Sequence, residues 1–392
     1  MFMADEQKSR TNIHEWLLRV EYPVVAFLAF VVLGIMAFFT FNLSFLSPVK
    51  KAISEFSMTD LYYQILHETG TPPESPLITI VDMTELISRR DLAEALEAIE
   101  ACNPALVGVD MVFEGRKEDV VGDSMIASVA AQYANIIWSK KLRDFANDSL
   151  EYTDAARSFF ADSLQIHEGV TNMSRQLYGG VKRKIDQAWI QNGELEPSFI
   201  VETANAYAGK EVAETKVKSV EINFTPTLFR VIPADSIVYY PDLIADRIVL
   251  FGAMNEEVDM HYTPLGKIPG IMLLAYGVQT LLKQNQIIDI SGILFWVISF
   301  LIVTLTYWGR KRRREWVAGR KNATVRLLLG FPLVSSVISF AWMALLLYFS
   351  FVLFCGYDIS FNLGLAFSAI AFLLTAENTF TAITNYTKEI GS

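Results

Sequence analysis

From Val24 to about Leu46 the chain carries no charged side chain. A stretch of about 20 apolar residues is long enough to cross the hydrocarbon core of a bilayer. Inside that core every backbone N–H and C=O must be bonded within the segment, so the run has to be helical. It exceeds the ~7–15 residues of a signal-peptide core, and no small-x-small site follows before Pro48. Three further uncharged runs lie at the other end, Ile293 to Trp308, Leu327 to about Phe354 and Ile359 to about Thr375. Nothing between Pro48 and Asp289 is similar, so a folded domain is expected between one span and three. The 52% hydrophobic content agrees, being high for a soluble chain of 392 residues.

Orientation follows from the basic residues beside the spans, because short basic loops stay in the cytoplasm. Arg310, Lys311, Arg312, Arg313, Arg314, Arg320, Lys321 and Arg326 face the single acid Glu315 in 309–326. That segment is expected to be a cytoplasmic loop that also meets anionic lipid headgroups, with Tyr307 and Trp308 at the interface. Counting back and forward gives a cytoplasmic segment 1–22 (with Lys8 and Arg10), a span at 23–47, an extracytoplasmic domain at 48–289, three spans within 290–376 and a cytoplasmic tail at 377–392. The expected location is a bacterial cytoplasmic (inner) membrane, multi-pass, with the domain facing the periplasm or outside. The net charge of −10 collects on the domain, which argues against nucleic acid as a partner. Cys102 and Cys355 lie in unrelated settings and imply no disulfide.

Within the domain, Ser57-Met-Thr-Asp60 has the spacing of a helix start, and Thr71 to Pro76 must end that helix. Leu77 to Val81 and Leu106 to Val109 are short apolar runs ending in Asp82 and Asp110, with Leu92, Leu96 and Ile99 at helical spacing between them. A further helix at 123–133 and a strand at 135–138 continue the alternation. Continuous apolar strands separated by helices predict an α/β fold, a mostly parallel sheet covered by helices on both faces. Helical pieces are expected at 155–164 and 199–208 with a turn at Gly179-Gly180, a strand at 219–224, a buried strand at 247–251 and a helix at 270–282.

These residues resemble the extracytoplasmic CHASE domain of the second type, found in bacterial cyclases, histidine kinases and Ser/Thr kinases. The opening unit is similar from Leu77-Ile-Thr-Ile-Val-Asp82 to Leu106-Val-Gly-Val-Asp-Met-Val-Phe113, and Gly169-Val-Thr-Asn172 and Gly180-Val-Lys-Arg183 match middle motifs loosely. Ile248 to Ala253, Asp259-Met-His-Tyr-Thr-Pro264 and Pro269 to Ala275 follow in the family's order. The Trp-Pro cluster usual before the first helix is missing. The resemblance implies a sensory module, and because a kinase or cyclase needs at least ~50 residues, the tail at 377–392 is expected to carry no such effector.

Candidate chemistry gathers at strand ends. Asp82, Asp110, Asp259 and His261 all follow apolar strands, where open α/β sheets bind ligands. Converging carboxylates suit a cation or a hydroxylated ligand of unknown identity. Alternatively Asp82 and Asp110 cap helices or brace loops, and Asp259 and Thr263 shape the turn before Pro264. No catalytic residue, metal site or cofactor is expected. The four histidines lack ligand spacing and no nucleophile elbow or phosphate loop is present. An Asp82/Asp110 acid–base pair is the remaining enzymatic reading. A transporter is disfavoured because the four runs are uncharged. The reading is a sensing or docking module acting through an envelope partner, which the small residues Gly364, Ala366 and Ser368 would admit beside the spans. The alternative is a structural subunit of an envelope complex.

Overall fold

The computed structural model describes residues 15–42, 57–69, 71–146, 151–173, 180–254 and 259–391. Lys8, Arg10, the expected span end at 43–46 and Gly179 lie outside them. The chain divides into two compact units, Thr59–Ile287 and the remainder, Met1–Met58 with Ile288–Ser392. In the second of these, α1 spans Glu21–Asn42, after a helical turn at 15–19.

The unit Thr59–Ile287 opens on α2 (Met58–Thr69) and β1 (Glu74–Asp82). Next comes α3 (Arg89–Ala101), started by a reciprocal cap in which Ser88 Oγ accepts from Asp91 N at 3.2 Å and Asp91 Oδ2 from Ser88 N at 3.0 Å. Asn103 at φ 56° and Pro104 stop it, and β2 (Leu106–Val109) follows. Then come α4 (Val120–Gln132), β3 (Ile136–Ala146), β4 (Glu151–Ala156), the single turn α5 (Ala161–Leu164), β5 (His167–Val170), β6 (Lys184–Asp186), β7 (Ala188–Gln191) and β8 (Glu194–Pro197). Finally come α6 (Phe199–Ala208), β9 (Ser219–Glu221), β10 (Leu228–Pro233), β11 (Ile248–Gly252), the hairpin β12 (Met260–Thr263) and β13 (Gly266–Pro269), and α7 (Gly270–Lys283).

The main sheet runs β10-β1-β11-β2-β3-β4-β7-β8, with β5 also on β3. From β10 through β3 every pairing is parallel, and β1, β11 and β2 are interior strands. Their continuous apolar runs are explained by cover on both sides. Val81, Val107, Val109, Val249 and Phe251 pack with Leu92, Leu96 and Ile99 of α3 and Ile126 and Val129 of α4. On the opposite face Gly108 meets the Phe199 ring of α6, and α7 lies along β1 and β11. Trp138 anchors the first face, with the Phe160 ring 5.0 Å and the Phe113 ring 5.9 Å away.

Several expectations are corrected here. The third strand does not end at Trp138: β3 continues to Ala146, its first half pairing in parallel with β2 and β5 and its second half antiparallel with β4. The expected helix at 155–164 is instead the end of β4 and a single turn. In place of a strand at 219–224, β9 spans three residues and pairs with β6 in a separate ribbon.

In the other unit, β14 (Ile288–Asp289) leads to α8 (Gly292–Ala318), followed by α9 (Ala323–Gly330), α10 (Pro332–Tyr357), β15 (Ile359–Ser360), α11 (Gly364–Ala371) and α12 (Leu373–Gly391). Among the described residues three helices are long and apolar enough to cross a membrane, 21–39, 292–318 and 332–357; the fourth candidate is the pair 364–371 and 373–389, bent by 51°. The basic cluster is not a loop, because α8 stays helical through Arg310 to Arg314. Pro332 starts α10 at its first turn, where its missing N–H costs nothing. Glu21 and Glu377 fall inside helices, beyond the uncharged runs: Tyr307 Oη donates to Glu21 Oε1 at 2.7 Å, Lys311 pairs with Glu21, and Arg314 pairs with Glu377. Ala366 is consumed within the chain, packed with Val25, Ala26 and Ala29 of α1, whereas Ser368 is exposed.

Candidate functional site

The carboxyl ends of β1, β11 and β2 carry the expected acids, and the structure sorts them into two groups. Asp82 closes a local knot. Its Oδ1 accepts from Thr84 N at 2.9 Å, Thr84 Oγ1 at 2.6 Å and Met254 N at 3.0 Å, which ties the end of β1 to the loop after β11. With three donors on one oxygen, Asp82 braces the loop.

Asp110, Asp259 and His261 do come together. Asp110 follows β2, with its N–H donating to Phe251 O at 2.9 Å. Ser139 of β3 donates to Val109 O at 2.7 Å and reaches Asp110 Oδ1 at 3.5 Å. Burial, then the charge of Asp259, pushes the Asp110 carboxyl up to about 6; Ser139, Lys141 and His261 pull the other way. Asp259 Oδ1 lies 3.1 Å from His261 Nε2. That hydrogen bond, against a burial penalty and with help from Lys141, holds Asp259 below the usual carboxylate range.

The hairpin explains why Asp259 sits here. Met260 pairs with Pro269, so Asp259 falls opposite Gly270, and its carbonyl accepts from Gly270 N at 2.8 Å. Its carboxylate then lies over the start of α7, where helix N–H groups favour negative charge. A Cβ on Gly270 would stand 1.9 Å from Asp259 Oδ2, so only glycine lets the carboxylate occupy that place. The turn before Pro264 does not use Asp259. Thr263 alone makes it, its Oγ1 donating to Gly266 O at 2.9 Å and accepting from Leu265 N at 3.2 Å.

Ser139 and Lys141 are the members that sequence reasoning missed. Their two-residue spacing puts both on the same face of β3, a signal hidden once the strand is ended at Trp138. Among the described residues no group of three His, Cys, Asp or Glu side chains is placed to hold a metal ion. Two carboxylates of unlike proton affinity, an imidazole and an ammonium form a polar cluster at the carboxyl ends of the parallel strands, the edge at which open α/β sheets bind ligands.

A family model for the CHASE2 domain matches residues 28–309, from within α1 to within α8. The chain belongs to the CHASE2 domain family. CHASE2 domains are sensory extracellular domains. No curated protein and no solved structure matches the chain significantly. The Gly252-Ala253, Asp259 to Pro264 and Pro269 to Ala275 stretches that carry the resemblance are the residues that build the Asp259 corner of the cluster.

The Asp110 carboxyl makes the CHASE2 unit sensitive to pH with a defined sign. The folded state holds this proton to about pH 6, and the unfolded state releases it near pH 4. Stability from this group is therefore full below about pH 4, falls as pH rises to about 6, and is level above. Asp110→Asn is expected to raise stability at pH 7 by on the order of 1–3 kcal/mol and to change it little below about pH 4. Melting curves of both proteins across that range check it; a difference independent of pH would exclude Asp110 as the titrating group.

Proposed function

We propose that this protein is a membrane-anchored CHASE2 module of a bacterial cytoplasmic membrane, with the domain outside. It senses or docks an envelope ligand at Asp110, Asp259 and His261 and passes the state to a partner protein. The observation that carries this reading is the position of Asp259 on the first N–H of α7. The Asp259 carbonyl accepts the first N–H of α7 while its carboxylate faces His261, so a ligand or proton that displaces Asp259 shifts the start of the helix whose chain continues to the apolar helix at Gly292. A shift of α7 changes an output only through differential contact with something else, so a partner is required. The basic residues 310–326, with the single acid Glu315 among them, favour a cytoplasmic position for that end of α8.

One experiment tests sidedness and partnership together. Ile87, 96% exposed, is a suitable site. In a variant lacking Cys102 and Cys355, Ile87→Cys should react with a membrane-impermeant, thiol-directed cross-linker in intact cells, and one protein should be enriched on it. Reaction only after the membrane is opened would overturn the orientation. Reaction with no enriched protein would overturn the partner reading. If the same partner is captured and its output is unmoved by Asp259→Asn, the domain is a static structural subunit instead.

A further inference from the structure

The cationic end of α8 is not uniformly neutralised. Lys311 pairs with Glu21, Arg314 with Glu377, and Arg312 with Glu315 at 3.6 Å. Among the described residues no carboxylate lies within ion-pair distance of Arg310 or Arg313. Their partners are hydroxyls and a carbonyl: Arg313 donates to Ser335 Oγ at 2.7 Å and to Leu329 O at 3.2 Å, and Arg310 to Ser339 Oγ at 3.4 Å. Spacing makes this a designed line of contact, since Thr306, Arg310 and Arg313 lie on one face of α8 and Ser335, Ser339 and Trp342 on one face of α10. Trp342 Nε1 donates to Thr306 Oγ1 at 3.0 Å and completes it.

Two adjoining cavities share Arg310, Arg313, Ser335 and Ser339 in their walls. The first, about 460 Å³, is otherwise bounded by Tyr307, Met343, Leu374 and Glu377 among others; the second, about 400 Å³, continues down the apolar side past Leu305, Ile338 and Trp342. One end therefore offers the Arg310 and Arg313 guanidinium groups and the Ser335 and Ser339 hydroxyls beside the mutually neutralised Arg314–Glu377 pair, and the other an aliphatic and aromatic wall. A guanidinium satisfied only by neutral acceptors keeps its charge and fork geometry for phosphate.

We infer that the groove between α8 and α10 binds one anionic phospholipid, its phosphodiester on Arg310 and Arg313 and its first acyl carbons against Leu305, Ile338 and Trp342. The position suits this occupant, because the basic end of a spanning helix lies at headgroup depth. A free phosphate would use the arginines but leave the apolar half unfilled.

The test is lipid retention by the full-length chain, purified in mild detergent from bilayers of equal phosphatidylglycerol and phosphatidylcholine and followed by native mass spectrometry through delipidation. Phosphatidylglycerol should remain on the wild type, enriched at least about tenfold over phosphatidylcholine. R310Q/R313Q should remove that enrichment, and R312Q/R320Q should keep it. S335A/S339A, which leaves both charges, should weaken but not abolish it. Millimolar inorganic phosphate should leave the lipid bound; displacement by phosphate would reassign the site to a free anion. Equal retention of the two lipids by the wild type overturns the proposal whatever the variants do, as does unchanged enrichment in R310Q/R313Q.

Discussion

Gly169→Ala is expected to be the most damaging single methyl group in the CHASE2 unit. A Cβ at this position would lie 2.5 Å from Phe199 Cα and 3.0 Å from Phe199 N. Backbone cannot rotate aside as a side chain can, so β5 or the first turn of α6 must shift. Phe199 is fully buried, and α6 packs on β2, β3 and β5 together. Overpacking of this kind costs about 3 kcal/mol or more, which lowers the melting temperature by roughly 6–12 °C for a domain of this size. Gly180 belongs to the neighbouring family-like motif, yet has nothing within 4 Å of its added Cβ. Gly180→Ala should therefore melt within about 1 °C of the wild type. Equal melting of both variants would show that the β5–α6 approach is looser than described.

Arg89→Met should come close behind. Arg89 pairs with Asp123, with side-chain exposures of 9% and 3%, and also donates to Gly115 O at 2.8 Å. Its guanidinium lies 5.1 Å from the Phe159 ring centre. The pair joins the start of α3 to the start of α4. Burial pushes the Asp123 carboxyl up, but the Arg89 bond and the Lys117 N–H outweigh it, and the group ends below the usual range. Removing the cation alone leaves a buried carboxylate, a loss of about 3–5 kcal/mol. Arg89→Met combined with Asp123→Leu should recover part of that loss, since no charge is then stranded. The pair's contribution is present above the unfolded carboxyl pKa and disappears as pH falls through the lower folded value. A double variant no better than the single one would assign the loss to the contacts of Arg89 with Phe113 and Phe159.

The elements that could be read ahead were those whose sequence and tertiary demands coincide. β1, β2 and β11 are buried on both faces, so continuous runs such as Ile248 to Phe251 announce them without ambiguity. Between 142 and 209 that coincidence fails. Glu151 to Ala156 has helix-forming alanines and exposed acids, and becomes a strand only because Leu142 and Phe145 lie opposite Ala155 and Tyr152. At the site, the strand-end rule finds Asp110, Asp259 and His261, but says nothing of which acid is already satisfied. The bracing role of Asp82 could have been read from its own neighbourhood, because Thr84 two residues on supplies the N–H and hydroxyl of a local turn. In the membrane unit, apolarity locates the greasy part of a helix and not its end. Arg and Lys are good helix formers, so α8 runs on to Ala318 through residues that charge counting assigns to a loop.

The strand-like residues Ile222 to Phe224 are held from two sides. Tyr63 of α2 donates to Ile222 O at 3.3 Å and sets its ring 5.6 Å from that of Phe224, while His67 Nε2 lies 3.1 Å from Phe224 O. From α7, Thr280 Oγ1 accepts from Asn223 N at 3.0 Å, and the tilted Tyr276 ring lies 5.3 Å from that of Phe224. Tension applied between the two ends of the domain would run from α2 through these three residues into α7, which lies along β1 and β11. Because Asp259 accepts the first N–H of α7, a pull along the chain reaches the carboxylate cluster through that helix, and a disturbance at Asp259 reaches both ends of the domain by the same route.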